Sequence, residues 1–192
     1  MRLGVFGGSF DPVHVGHLRL AGCCCDQAGL DAVWFVPAAV QPFKAEGPVA
    51  SDPQRCEMLR LAIASEPRFG VSTIEIDRGG VSYSVDTLRE LHAARPGDQL
   101  FFLMGADTLR DLPGWREPDE VLRLATPLVV QRPGEAPPDS AVDHVLVTMP
   151  PIDISSSEVR RRLAAGEPVD GLLPPAVLEY IRQNGLYGAA TG

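Results

Sequence analysis

The residues best suited to chemistry lie near the start of the chain, where two histidines follow a pair of glycines. Gly7 and Gly8 come directly after the apolar run 3–6, and His14 and His17 precede a helical pattern. A strand that leads through a glycine turn into a helix is where α/β sheets bind phosphate groups. Glycine lets the backbone approach an anion and adopt unusual dihedral angles, and imidazole N–H groups can oppose charge that develops on phosphorus. We therefore expect a phosphate-binding site that needs no protein nucleophile.

The loop between the glycines and the histidines should supply backbone donors. We expect the amides of Gly8, Ser9 and Phe10 to point at the same anion as His14 and His17, which share a face if both lie in the first helical turn. The histidine pair could also be half of a metal site, but no further ligand set at metal spacing lies nearby, so we do not expect the pair to ligate a metal. The pattern matches neither the dinucleotide-binding glycine fingerprint nor the P-loop.

Length and charge narrow the function classes. The chain has 192 residues, of which 45% are hydrophobic, so we expect one domain with a substantial core. Its 17 basic and 25 acidic residues give a net charge of −8, which disfavours a nucleic-acid partner. No apolar run approaches the ~20 residues of a membrane span, and no signal-peptide pattern is present. We therefore expect a cytoplasmic protein without a membrane partner.

The four cysteines are expected to have no special chemistry. Three of them are consecutive, Cys23–Cys25, and the fourth is Cys56. Consecutive cysteines cannot bridge one another comfortably or form a usual zinc set. We expect reduced thiols that pack as small apolar side chains.

Extended and helical patterns alternate along the chain. The predicted strands are 3–6, 32–36, 71–76, 99–104, 127–130 and 142–147. Two predicted helices begin near residue 18 and near residues 51–53. The other predicted helices span 84–94, 118–125, 155–164 and 175–184. This alternation predicts an α/β fold: a Rossmann-like, doubly wound, mainly parallel sheet with helices on both faces. We expect residues 1–150 to form this core and residues 151–188 to form a small C-terminal helical subdomain.

A second candidate anion site lies at 154–160. Ser155 and Glu158 have the spacing of a capping box, so a helix N-terminus with free amides is expected there. Arg160 lies one turn further on. The same pattern is also typical of a well-capped surface helix with solvated arginines, and only the first motif favours the anion site.

A carboxylate follows the predicted strand 99–104. Asp107, in Gly105-Ala106-Asp107, is well placed to accept hydrogen bonds from a ribose hydroxyl or an adenine amine. It could equally cap the next helix, and both roles can hold.

Residues 7–18 closely resemble the signature of the nucleotidyltransferase superfamily, whose mark is a His-x-Gly-His sequence, here His14-Val15-Gly16-His17. Segments 82–88, 105–115 and 173–187 resemble those of bacterial nicotinate mononucleotide adenylyltransferases. The resemblance runs essentially end to end. It implies transfer of AMP from ATP to nicotinate mononucleotide in NAD biosynthesis, with Mg²⁺ carried by the ATP phosphates. The C-terminal helices would complete the ATP site.

The resemblance also implies roles for individual residues. The catalytic residues would be His14, His17, Lys44 and Arg160. The ATP-binding residues would be Gly7, Gly8, Ser9, Phe10, Asp107, Ile154, Ser155, Ser156 and Ser157. The nicotinate mononucleotide-binding residues would be Ser84 on the carboxylate, Trp115 near the ring, and Tyr83 and Thr87.

Two departures and two alternatives stay open. Phe43 stands where the family often has a histidine, and Arg116 stands where some relatives have a second aromatic residue. Another adenylyltransferase of the superfamily, such as the phosphopantetheine enzyme, is one alternative. A non-catalytic nucleotide-binding module is the other. A homo-oligomer is also open, since the C-terminal helix could serve an interface.

Overall fold

A six-stranded parallel sheet is the centre of the structure, a computed structural model that describes residues 1–42, 47–131 and 141–189. The strands in these ranges are Arg2–Gly8 (β1), Ala32–Pro37 (β2), Phe69–Val71 (β3), Gln99–Gly105 (β4), Ala125–Gln131 (β5) and Val145–Thr148 (β6). Their order is β3-β2-β1-β4-β5-β6, and every adjacent pair is parallel. The predicted Rossmann-like fold is confirmed. The order reverses between β1 and β4, which opens a crevice at the carboxyl ends of these strands.

Helices connect the strands and cover both faces of the sheet. They are Val15–Ala28 (α1), Asp52–Ile63 (α2), Ile74–Arg78 (α3), Ser84–Ala94 (α4), Ala106–Asp111 (α5), Pro118–Leu124 (α6), Ser156–Ala165 (α7) and Pro175–Gln183 (α8). The predicted helix 84–94 is confirmed at both ends. None of the helices in the described ranges is long and apolar enough to cross a membrane.

The predicted strand 71–76 is wrong over most of its length. β3 ends at Val71, and α3 begins at Ile74. The β-branched residues of this segment imitate a strand, but a tertiary contact decides the outcome. Glu75 is buried, and its carboxylate accepts a 2.6 Å hydrogen bond from the hydroxyl of Thr87 on α4. No local pattern could reveal that partner.

Alternation along the strands divides the interior into two cores. On β4, Phe101 and Leu103 face the core that α1, α2, α7 and α8 cover, whereas Leu100 and Phe102 face the core under α4, α5 and α6. This is the period of two that a strand imposes on its side chains. The two C-terminal helices therefore lie on the same face of the sheet as α1, the helix that follows the phosphate loop.

The cysteines pack as predicted. All four are free thiols, and Cys24, Cys25 and Cys56 are buried. Burial raises the pKa of Cys24 far above its ordinary value, so this thiol stays protonated.

Candidate functional site

The loop after β1 has its strained backbone at Phe10 and not at the glycines. Gly7 and Gly8 were expected to adopt unusual dihedral angles, but they are the last two residues of β1, and neither has a positive φ. Phe10 has φ of 49°. A Cβ at Gly8 would lie 3.0 Å from the Phe10 ring, so Gly8 provides space for that ring. The Phe10 ring in turn packs edge-on against His17, with centroids 5.1 Å apart.

His14 and His17 form a stacked pair at the start of α1. His14 is the residue before the first turn, and His17 is the third residue of the helix. Their ring centroids are 3.7 Å apart, so the predicted shared face is confirmed. The backbone N–H of His14 donates to Nδ1 of His17 over 3.2 Å, which leaves the proton of the neutral His17 ring on Nε2. Among the described residues, Nδ1 of His14 is buried without a hydrogen-bond partner.

Gly16 makes this stacking possible. A Cβ at position 16 would lie 3.0 Å from Cε1 and Nδ1 of His14, closer than ordinary side-chain contacts. The glycine of the His-x-Gly-His sequence therefore leaves the space that the His14 ring occupies.

Burial makes both imidazoles weak bases. It lowers the pKa of His14 to about 4. Burial, followed by the proximity of His14, lowers the pKa of His17 to about 3. Both rings are consequently neutral at pH 7 and can donate hydrogen bonds, but they carry no charge until a ligand supplies one.

The N-terminus of α7 lies beside the same loop. Ser155 caps the helix, because its Oγ accepts a 3.2 Å hydrogen bond from the amide of Glu158. Oγ of Ser156 donates to the carbonyl oxygen of Pro12 over 2.9 Å, and Arg160 donates to the carbonyl oxygen of Asp11 over 2.7 Å. These contacts join α7 to the phosphate loop across more than 140 positions of sequence.

The predicted capping box is only half formed. The carboxylate of Glu158 does not return to the backbone of Ser155 but accepts from Arg161 at 2.9 Å and from Arg162 at 2.7 Å. These arginines neutralise Glu158 and lower its pKa to about 2. The pairing keeps both arginines away from the loop, so Arg160 is the arginine of this run that faces the cleft.

One cleft brings together most of the predicted phosphate-binding residues. It has a volume of about 840 Å³, and the predicted residues that line it are Gly8, Ser9, Phe10, His14, His17, Ile154, Ser155, Ser156, Ser157 and Arg160. The loop, the two imidazoles, the helix N-terminus and the guanidinium thus converge at the carboxyl end of β1, and such a set of donors suits a polyphosphate.

A second pocket of about 460 Å³ adjoins the cleft and shares Gly8, Ala38 and Gln41 with it. The predicted residues that line this pocket are Gly7, Tyr83, Ser84, Thr87 and Trp115. Trp115 is half-buried and meets Phe102 edge-on, with centroids 5.9 Å apart. An aromatic wall with a few polar groups suits a flat heteroaromatic ring.

The polar groups of this second pocket are not equivalent. Tyr83 caps α4, so Ser84 is its first helical residue and does not have the capping role that is the alternative to ligand binding. The Thr87 hydroxyl donates to Glu75 and accepts from Arg78 over 3.1 Å. The hydroxyl of Thr87 therefore serves internal structure, which leaves Ser84 as the more available hydroxyl.

One described residue among those predicted, Asp107, is not brought to these pockets. Asp107 lies in the first turn of α5, which Gly105 precedes as the cap. Its side chain is 90% exposed and pairs with Arg110 at 3.1 Å, and it lines neither the cleft nor the second pocket. Lys44 lies outside the described residues, as does Phe43.

Arg55 holds two residues that line the cleft, Ser9 and Ala38, and was not among the predicted site residues. Its side chain is fully buried, and it donates to the carbonyl oxygens of Ser9 over 2.6 Å and Ala38 over 2.7 Å. It also pairs with Asp52 at 2.6 Å. Arg55 therefore ties together the loops that follow β1 and β2. An arginine among the apolar positions of α2 was the only available signal.

The carboxylate of Asp11 is already used by the protein. It accepts hydrogen bonds from the amides of Val49 and Ala50 at 2.7 and 3.0 Å and from the hydroxyl of Tyr187 at 2.6 Å. Among the described residues, no group of three His, Cys, Asp or Glu side chains could hold a metal ion.

Comparisons with known proteins agree with this geometry. A Plasmodium falciparum nicotinic acid mononucleotide adenylyltransferase complexed with NaAD superposes with a TM-score of 0.79 at 18% identity, covering 100% of this chain and 99% of that one. This match supports the fold alone. A Bacillus subtilis nicotinate-nucleotide adenylyltransferase is 41% identical, covering 97% of this chain and 98% of the relative.

A second relative is similar over its whole length. A Thermus thermophilus protein named as a probable nicotinate-nucleotide adenylyltransferase is 47% identical, covering 97% of this chain and 100% of the relative. The cytidylyltransferase-like family matches residues 5–162. The chain belongs to this cytidylyltransferase-like family and, within it, to the nicotinate-nucleotide adenylyltransferases.

Proposed function

We propose that this chain transfers AMP from ATP to nicotinate mononucleotide, forming nicotinate adenine dinucleotide and pyrophosphate in NAD biosynthesis. The observation that carries the proposal is the junction of two pockets. A cleft with amide, imidazole and guanidinium donors meets a pocket with an aromatic wall at Gly8. The names of the similar full-length relatives support the same reaction.

The chemistry needs no covalent intermediate on the protein. A phosphate oxygen of nicotinate mononucleotide attacks the α-phosphorus of ATP in line. The bond from that phosphorus to the oxygen bridging to the β-phosphorus breaks, and pyrophosphate leaves with the electron pair. The substrate phosphate is already a nucleophile, so the protein contributes orientation and electrostatic stabilisation.

The histidines act as hydrogen-bond donors in this proposal. Their depressed pKa values keep both rings neutral, so neither is a proton source at pH 7. With Nδ1 of His17 occupied by the His14 amide, Nε2–H is the donor for an α-phosphoryl oxygen. Donors fixed before the reaction stabilise charge that develops in the transition state. Lys44 is proposed to oppose the same charge.

Other residues are proposed to hold the remaining parts of the substrates. Arg160 and the N-terminal amides of α7 with Ser155–Ser157 hold the leaving pyrophosphate, and 154–157 line the cleft accordingly. Ser84 contacts the nicotinate carboxylate, and Trp115 contacts the ring with support from Tyr83. Asp107 is proposed to contact adenosine from its exposed position after β4.

Mg²⁺ is proposed to accompany the ATP phosphates. The carboxylate of Asp11 is occupied by internal donors, and no other carboxylate among the described residues lines the phosphate cleft. When bound, the ion would reduce the charge of the triphosphate, while Arg160 and the histidines perform the recognition.

We also propose a division of labour along the chain. Residues 1–150 would bind both substrates on the sheet, and residues 151–188 would complete the ATP site. The bonds from Ser156 to Pro12 and from Arg160 to Asp11 support this assignment.

Acceptor choice tests the proposal. Pyrophosphate release would be measured with ATP and Mg²⁺ and one of three acceptors: nicotinate mononucleotide, nicotinamide mononucleotide or phosphopantetheine. We expect a strong preference for nicotinate mononucleotide. Activity with phosphopantetheine alone would preserve the transfer chemistry but contradict the assignment of the second pocket. No release with any acceptor would support a binding module.

A further inference from the structure

Tyr187 connects the end of the chain to the phosphate loop. It lies in the turn Leu186–Gly188, is only 8% exposed, and donates a 2.6 Å hydrogen bond to Oδ1 of Asp11, 176 positions away. Its φ of 57° lies in the left-handed region, which bulky residues adopt rarely. Such a conformation persists where the surroundings hold it in place, and it is often found at functional sites.

Asp11 is the centre of a buried network that includes a proposed catalytic residue. Nη1 of Arg160 lies 2.7 Å from the carbonyl oxygen of Asp11 and 3.8 Å from its carboxylate Oδ2. The carboxylate also accepts from the amides of Val49 and Ala50, at the end of the segment that precedes α2. The Tyr187 hydroxyl thus binds the same carboxylate that pairs with Arg160 at 3.8 Å.

The C-terminal turn also packs on the helix that carries Arg160. A Cβ at Gly188 would lie 3.4 Å from Cα of Ala164 on α7. The turn is therefore linked to Arg160 in two indirect ways: it packs on α7, the helix that carries Arg160, and it binds Asp11, which Arg160 contacts. Burial and the bond to Asp11 raise the pKa of Tyr187 well above its usual range, so the hydroxyl remains a donor throughout the working pH range.

We propose that Tyr187 is a positioning residue for adenylyl transfer: by satisfying the Asp11 carboxylate, it holds the Arg160 guanidinium toward the phosphate cleft and thereby strengthens ATP binding. Without this hydroxyl, Asp11 has one donor fewer and draws Arg160, which already pairs with it at 3.8 Å, into a closer ion pair. The inference rests on the proposed function for its role in turnover. Its role in ATP binding can be measured separately.

The test removes the hydroxyl and keeps the ring. Tyr187→Phe would be compared with Tyr180→Phe, the same change at a half-buried tyrosine on α8. We expect Tyr187→Phe to raise the KM and the calorimetric Kd for ATP about tenfold, a common size for coupled networks. The KM for nicotinate mononucleotide should not change, and Tyr180→Phe should change neither. In an Asp11→Asn background, which removes the charge that would draw Arg160, Tyr187→Phe should weaken ATP binding by no more than about twofold.

A double-mutant cycle distinguishes positioning from general destabilisation. In an Arg160→Ala background, Tyr187→Phe should weaken ATP binding by no more than about twofold, because the residue through which it acts is gone. An equal penalty in both backgrounds would overturn the proposal, as would an equal rise in KM for both substrates. Calorimetry without an acceptor gives this answer even if the wild-type protein forms no dinucleotide, a result that would refute the proposed function alone.

Discussion

His17 uses both nitrogens of one ring. Nδ1 accepts from the backbone of His14 and so fixes the ring at the start of α1, while Nε2 remains available to a ligand. His14 stacks on this ring, and Gly16 leaves room for the stack. The His-x-Gly-His sequence thus acts as one unit. His14 and His17 are hydrogen-bond donors, and Gly16 leaves room for their stacked rings.

Replacing His17 with Ala should lower turnover by about a hundredfold or more, the usual cost of a donor aimed at a developing charge. Pyrophosphate release measures the change, and circular dichroism checks the fold. His92→Ala on α4, outside both pockets, serves as the control and should retain activity. Near-normal turnover of His17→Ala would refute the mechanism.

Gly16→Ala should separate activity from stability. The added Cβ would press on the His14 ring at 3.0 Å, so we expect turnover to fall about tenfold or more. Alanine has a higher helix propensity than glycine, so the melting temperature should not fall in proportion. Gly22→Ala in the same helix is the matched control, since a Cβ there meets nothing within 4 Å. Equal activities of the two variants would contradict this account of Gly16.

At the scale of elements, the site lies where one strand ends and two helices begin. β1 ends at Gly8, and α1 and α7 both begin beside that loop. Two helix N-termini add amide donors and partial positive charge to the same cleft. Arg55 on α2 fastens the loop after β1 to the loop after β2, so the rigid elements share one internal tie.

Arg55→Met should loosen this tie. Arg55→Met leaves the carbonyl oxygens of Ser9 and Ala38 without donors and removes the pair with the partly exposed Asp52, so the free energy of unfolding should fall by about 3 kcal/mol. Arg60→Met on the same helix is the control, because Arg60 is exposed and pairs with Glu57 at 3.5 Å. It should change stability by less than about 0.5 kcal/mol. Denaturant unfolding measures both variants, and equal losses would contradict the role assigned to Arg55.

Structural features that depend on neighbouring residues could be predicted from local sequence patterns. Most of the predicted strands, the helix 84–94 and the histidine pair follow from neighbouring residues. Contacts between distant positions could not be read in this way. Arg55 contacts a carbonyl 46 positions away, and Tyr187 reaches Asp11 across 176. The helix at Ile74–Arg78 was missed for the same reason, since Glu75 is held by Thr87.

At the scale of the whole molecule, an acidic chain holds a site for polyanions. The net charge is −8, yet many arginines are paired with nearby carboxylates, as Arg161 is with Glu158 and Glu167. Among the described residues that line the cleft, Arg160 is the cationic side chain, and helix ends and neutral donors add to it. Burial of His14 and His17 also affects the stability of the whole protein. Folding removes the capacity of these rings to bind protons, so the free energy of unfolding should decrease at acidic pH.

Stability should fall as the pH is lowered from 7 to 5. In this range unfolded histidines, with ordinary pKa values near 6.5, bind protons, whereas His14 and His17 in the folded state, with pKa values of about 4 and 3, do not. Each ring should then reduce the free energy of unfolding by about 1–2 kcal/mol. Denaturant unfolding at the two pH values measures the change.

A double variant is the control for this prediction. His14→Gln/His17→Gln should lose most of the pH dependence between pH 7 and 5. Glu120 and Glu158 have lowered pKa values of about 2, so their contribution is lost mainly below pH 5, where the unfolded carboxylates begin to protonate. The same slope in the wild-type protein and the double variant would show that these histidines are not its source.

Product analysis tests the central claim most directly. The wild-type protein would be incubated with ATP, Mg²⁺ and nicotinate mononucleotide labelled with ¹⁸O in its phosphate, and the products would be identified by mass spectrometry. Direct attack on the α-phosphorus predicts equal amounts of nicotinate adenine dinucleotide and pyrophosphate, with all of the label in the dinucleotide. ATP binding without dinucleotide, or label in the pyrophosphate, would contradict the account.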